Sequence, residues 1–134
     1  MTMQAVNKRW VKRRDQWLAL VENLLADVSQ WALAQDWSIH RDQKEIREDP
    51  IGVYSAPTLR IRLPGGEVHV EPVALRIVGE EGGRVDIESW PSLNRVMLIG
   101  HGEKWKVITD SGVSLAEPWN EKTFVRVVRE MIAP

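Results

Sequence analysis

KRWVKRRDQWLALVENLLADVSQWALAQ, from Lys8 to Gln35, is the stretch that decides how this chain folds. Trp10, Trp17, Leu24 and Trp31 recur every seven residues, nearly two helical turns, and so stack along one stripe. Leu18, Val21, Leu25, Val28 and Ala32 widen that stripe into a broad apolar face. One long helix is expected here, with Leu24 and Trp31 in the core. Trp10 and Trp17, nearer the basic end, are expected at an edge or interface. That end carries Lys8, Arg9, Lys12, Arg13 and Arg14, a charge that opposes the positive pole of a helix starting at Lys8. It reads first as a solvated end and second as a patch for an acidic partner or a phosphate backbone.

Beyond Asp36 the apolar period changes from helical to alternating. Trp37 and Ile39 open a first strand that is expected to decay into the charged run Lys44 to Asp49. Pro50 and Gly52 mark a loop, and Tyr54 with Ala56 form a short edge segment. The clearest hairpin follows. Leu59, Ile61 and Leu63 alternate with Arg60 and Arg62, Pro64-Gly65-Gly66 turns the chain, and Val68 and Val70 alternate with Glu67, His69 and Glu71. Keeping Ile61 on the face of Val68 or Val70 sets the two arginines against the Glu67, His69, Glu71 row.

At Pro72 the apolar phase shifts, which predicts a bulge or a strand break. Val73, Leu75 and Ile77 are then expected to pair with Val85 and Ile87, with Ile77 opposite Val85 and Arg76 opposite Asp86. The loop between them holds Glu80, Glu81, Gly82 and Gly83, either glycine able to take the left-handed conformation. After Trp90-Pro91-Ser92, the run Arg95 to Ile99 is apolar without alternation. It turns at Gly100-His101-Gly102 into Lys104 to Thr109, which sets Leu98 against Trp105 and Val96 against Val107. Met97 and Ile99 fall on the opposite face near Lys104 and Lys106, a second apolar group that something must cover. Asp110-Ser111-Gly112 makes another turn. Pro118 and Asn120 start a last helix whose stripe is Phe124, Val127, Val128, Met131 and Ile132.

Helix, antiparallel meander of about six strands, helix: the pattern is a two-layer α+β fold with both helices on one sheet face. Residues 1–134 read as a single domain, with 1–7 frayed or disordered. The composition agrees, with 43% hydrophobic and 28% charged residues. A formal charge of −1 gives no global attraction to nucleic acid or an anionic membrane. Glu22 and Asp27 interrupt the longest apolar stretch, so no membrane span or secretory leader is read, and a cytoplasmic location is expected. The absence of cysteine removes disulfides, Cys-based zinc sites and thiol nucleophiles. The unusual count is tryptophan, seven against one Phe and one Tyr. Such a chain has either a thick core or an adhesive surface.

Few residues converge on chemistry. Glu67, His69 and Glu71 share a strand face, but two-residue spacing splays them about 6.5–7 Å apart at the backbone, and arginines oppose them. Asp86-Ile87-Glu88, followed by Glu103 and Lys104 or Lys106, has ingredients of the PD-(D/E)xK nuclease core. The spacing departs from that core at the catalytic Glu and Lys, which are three apart or adjacent instead of two. His101 between two glycines is a turn residue with no orienting partner. No phosphate-binding glycine loop or nucleophile elbow is present. No cofactor, catalytic residue or metal ligand is therefore assigned.

The expectation from sequence is a non-enzymatic protein-interaction module of the small bacterial binding, escort or immunity type. Its candidate interface is Trp10, Trp17, Met97 and Ile99, with homodimerisation as one form of the contact. The alternatives are a metal-dependent hydrolase or nuclease using Asp86, Glu88 and Glu103, and nucleic-acid binding through the basic start of the first helix.

Overall fold

The computed structural model describes residues 2–77, 82–109, 114–115 and 118–133. The first helix, α1, spans Thr2–Ala34, 33 residues and so about 50 Å long. It begins six residues before the expected Lys8, within the segment read as frayed. The basic cluster therefore lies beyond the first turn, where the dipole has little effect, and the expected charge misfit does not arise. Trp17, Val21, Leu24, Leu25, Val28 and Ala32 are its buried stripe. Its C terminus closes with the amide of Trp37 donating to the carbonyl of Ala32 (3.1 Å) and that of Asp36 to Leu33 (3.0 Å). This is a Schellman cap in which Asp36, at φ 64°, holds the left-handed position usually given to glycine.

Seven strands follow among the described residues: β1 Ser38–Glu48, β2 Gly52–Leu63, β3 Gly66–Ala74, β4 Arg84–Trp90, β5 Arg95–His101, β6 Lys104–Thr109 and a two-residue β7, Ser114–Leu115. They lie in one antiparallel sheet in chain order, the expected meander. The second helix, α2, spans Glu121–Ile132. Asn120 caps it by accepting from the amide of Thr123 (3.0 Å), and Phe124, Val127, Val128 and Met131 are buried as expected. α1 packs on β1, β2 and α2, while α2 packs on β3 and β4, so one core is shared by both helices and the sheet. The turn between β4 and β5 closes the far end of α2: Ser92 Oγ (2.7 Å) and Asn94 Nδ2 (2.8 Å) donate to the carbonyl of Met131.

The β2–β3 hairpin has the expected register, Ile61 opposite Val68, with Arg60 against His69 and Arg62 against Glu67. Other pairings differ from expectation. β1 does not decay at the charged run: Lys44 to Glu48 pair with Ala56 to Gly52, and Tyr54 and Ala56 belong to one continuous β2. The cause lies on β2, where the buried set changes from odd positions (Leu59, Ile61, Leu63) to even ones (Tyr54, Ala56) across a fully buried Ala56–Leu59 run. Ile46, opposite Tyr54, follows the even set; Glu45 and Arg47 on the other face are exposed, while Lys44 and Glu48 share the Ile46 face and are half-buried.

Pro72 does not end β3. It sits just past the last β2 pair, Leu59 with Val70, so the strand has a free edge there, and a bulge follows before Ala74. β4 consequently pairs along β3 with Ile87 opposite Val70, Asp86 opposite Glu71 and, past the bulge, Arg84 opposite Ala74, so that Val85 faces Pro72 and not Ile77. In the β5–β6 hairpin the turn falls one residue later than expected, on Gly102-Glu103, so Leu98 faces Val107 and Gly100 faces Trp105. The Asp110-Ser111-Gly112 turn and Glu80 and Glu81 lie outside the described residues.

Gly83 takes φ +87°, the left-handed glycine expected before β4, and it has a second role. A Cβ placed there would stand 2.2 Å from the Trp17 ring, so the indole rests directly on the backbone. Gly82 and Gly100 meet in the same way, each leaving room only for the other's carbonyl. Gly83→Ala should therefore lower stability by about 2–4 kcal/mol through combined backbone strain and overpacking, read as a drop in urea midpoint with unchanged m-value. Asp36→Gly should act oppositely, stabilising by about 0.5–1 kcal/mol in the same measurement, because glycine enters the left-handed cap without strain.

Candidate functional site

Three tryptophans from distant parts of the chain meet around one concavity. Trp31 comes from the last turns of α1, Trp105 from β6, and Trp119 from the segment entering α2. Phe124 anchors two of them from behind, its ring 5.7 Å from Trp31 and 5.9 Å from Trp119, while those two indoles lie 5.9 Å apart edge to face. Trp105 is held by Trp17 at 6.2 Å. All three are half-buried, each with part of its ring left open. The groove has a volume of about 610 Å³; Leu20, Leu24 and Pro118 add apolar wall, and Asn23, Asp27, Glu103, Lys104 and Asn120 supply polar groups. Asp27 and Glu103 are exposed and make no hydrogen bond or ion pair among the described residues. The size suits a few side chains or a small ligand.

The residues singled out from sequence fall elsewhere. Trp10 is half-buried beneath two guanidinium groups, Arg13 at 4.9 Å and Arg76 at 5.1 Å from its ring. Trp17 is core, 1% exposed, and is not available at an interface. The helix starts earlier than expected, which moves Trp17 away from its end, and Gly83 opens the space that receives the ring. Ile99 is also buried, at 6% exposure, but outside the main core. It lies on the opposite sheet face, paired across the strands with Arg84 and Lys106. Met97 is half-buried between Asp86 and Ile108. Within the basic cluster Lys8, Arg9 and Lys12 are exposed, while Arg14 pairs with Asp15 at 3.0 Å.

The acidic residues do not assemble a metal centre. Asp86 is bound in a two-pronged ion pair with Arg84, at 2.7 and 2.9 Å, which raises the arginine pKa and occupies both carboxylate oxygens. Glu88 pairs across the sheet with Arg95 at one end of β4, whereas Glu103 lies in the turn past the opposite end of β5. Among the described residues no three His, Asp or Glu side chains are grouped to hold a metal ion. Glu67 accepts from Arg62 at 2.8 Å with His69 at 3.4 Å, and these neighbours hold its carboxyl below the usual range.

The most polar enclosed group is a structural clamp. The Glu48 carboxylate accepts from the Tyr54 hydroxyl (2.5 Å) and from the backbone amides of Leu75 (3.0 Å) and Arg76 (2.9 Å). It fastens the end of β1 to the chain leaving β3, and Arg76 adds a bond to the Asp49 carbonyl at 2.7 Å. Burial, followed by the adjacent Glu48 charge, pushes the Tyr54 phenol well above its ordinary value.

No helix among the described residues is long and apolar enough to cross a membrane. No family model, curated protein or solved structure matches the chain.

Because Tyr54 is the single tyrosine, its titration is directly visible near 295 nm. The folded protein should show no tyrosinate at about pH 11, whereas the chain in guanidinium should titrate near the free phenol value of about 10. A raised folded pKa means that Tyr54 contributes stability fully below about pH 10 and loses it as pH climbs. The urea midpoint should fall above that pH, and less steeply in Tyr54→Phe.

Proposed function

We propose that this chain is a non-enzymatic binding module that recognises a protein partner through the groove formed by Trp31, Trp105 and Trp119. The observation that carries this reading is the convergence of three half-buried indoles, from three separate elements, on one concavity. Tryptophan is strongly enriched among residues that dominate binding energy, because it offers a large rigid surface at low conformational cost. An escort or immunity-type role, in which a small protein occupies a surface of another, fits such a site.

A different protein is a better partner here than a second copy. The large apolar residues most exposed are Val11, Leu33, Val53, Trp90 and Leu93. Val11 and Leu33 stand about 33 Å apart along α1, and the others lie on β2 and around the β4–β5 turn. Among the described residues these do not supply the broad continuous face that an obligate homodimer buries.

A photo-crosslinking residue at Lys104, on the groove, compared with one at Val53, tests the reading in the cell of origin. A discrete adduct with another protein is expected from position 104 alone, lost when Trp105→Ala is added and the circular dichroism spectrum is unchanged. No adduct from position 104, or equal adducts from both positions, would refute it.

A further inference from the structure

The charge around the groove identifies what it receives. Its lining carries two carboxylates, Asp27 and Glu103, against one ammonium, Lys104. Neither carboxylate has a partner among the described residues. That is unlike the opposite sheet face, where Arg62 pairs with Glu67 and Arg84 with Asp86. Aromatic walls with unpaired anions beside them attract a cation twice, through the ring quadrupole and through the carboxylate. The same chain shows that its indoles accept guanidinium, since Trp10 carries Arg13 and Arg76 over its ring. Guanidinium is planar, weakly hydrated and able to stack and hydrogen-bond at once, whereas an ammonium keeps its water more strongly.

We propose that the groove seats an arginine side chain of the polypeptide partner, stacked among Trp31, Trp105 and Trp119 and paired with Asp27 and Glu103. This rests on the protein-binding reading above and gives it a chemical requirement. Lys104 works against the guest and tempers the affinity. A neutral apolar side chain would fill the volume but leave both carboxylates partly desolvated without compensation.

The test uses the full-length chain labelled with ¹⁵N and the probe acetyl-Gly-Arg-Gly-amide, followed through the indole N–H resonances. The shifts should centre on Trp31, Trp105 and Trp119, with a dissociation constant in the millimolar range expected of a single anchoring side chain. The citrulline peptide should not bind, and the lysine peptide should bind several-fold more weakly. Asp27→Asn combined with Glu103→Gln should weaken the arginine peptide about tenfold at unchanged melting temperature, since neither residue supports the fold. Lys104→Ala should tighten it.

Absence of shifts up to roughly 50 mM probe, beyond the weakest range a specific anchor occupies, would overturn the assignment. So would equal shifts from the citrulline peptide. Equal binding of tetramethylammonium chloride would also overturn it, by making the site one for small organic cations. If the peptide fails while the crosslink from position 104 persists, only the arginine assignment falls; if both fail, the protein-binding reading falls with it.

Discussion

The structure depends on the seating of Trp17 on the bare backbone of Gly83. A Cβ at that point would occupy the same space as the indole, so helix and sheet approach as closely as they can. The contact is extended on both sides. The carbonyl of Gly83 accepts from the amide of Gly100 at 2.9 Å, Gly82 and Gly100 touch backbone to backbone, and the Trp17 ring meets Trp105 on β6 at 6.2 Å. One side chain thus meets both the entry to β4 and the ring on β6, with β5 tied in between through Gly100. Volume is the constraint, since a packed interior has little slack to absorb an added methyl group.

That constraint explains why part of the fold was readable in the sequence and part was not. The β2–β3 hairpin depends on local terms, a Pro64-Gly65 turn and opposed charges at Arg62 and Glu67, and these were visible in order along the chain. The α2 stripe and its Asn120 cap are equally local. The β3–β4 pairing is not. Pro72 looked like a strand end because proline cannot donate to a ladder, but whether that matters depends on whether β2 still runs beside it. β2 has its own proline, and continuing the hairpin register would bring Pro57 opposite Pro72. Two residues without amide hydrogens at one rung end that ladder cleanly and leave β3 free to continue along β4.

The groove was hidden for the same reason. Trp31, Trp105 and Trp119 carry no shared spacing, and their meeting is set by the order of the strands and the return of α2 beside α1. The one signal available was compositional: seven tryptophans and a single Phe exceed what one helix stripe uses. Sequence reasoning assigned the surplus to the basic end of α1. In the folded chain that end consumes its indoles, Trp17 in the core and Trp10 under two arginines, and the surplus emerges around Phe124 at the other end of the helix.

Charge then separates the two faces of the molecule. On the outer sheet face acids find bases nearby, Arg62 with Glu67 and Arg84 with Asp86, and the exposed charges along β1 make that edge unattractive to another strand. At the groove the same kind of carboxylate stands beside half-buried indoles with no partner among the described residues. While water reaches Asp27 and Glu103 this costs little, but a partner that covers them must replace the water with hydrogen-bond donors. Apolar surface alone would accept many guests. The uncompensated carboxylates penalise every guest that brings no cation, and that penalty, more than the attraction of the tryptophans, is what gives such a site selectivity.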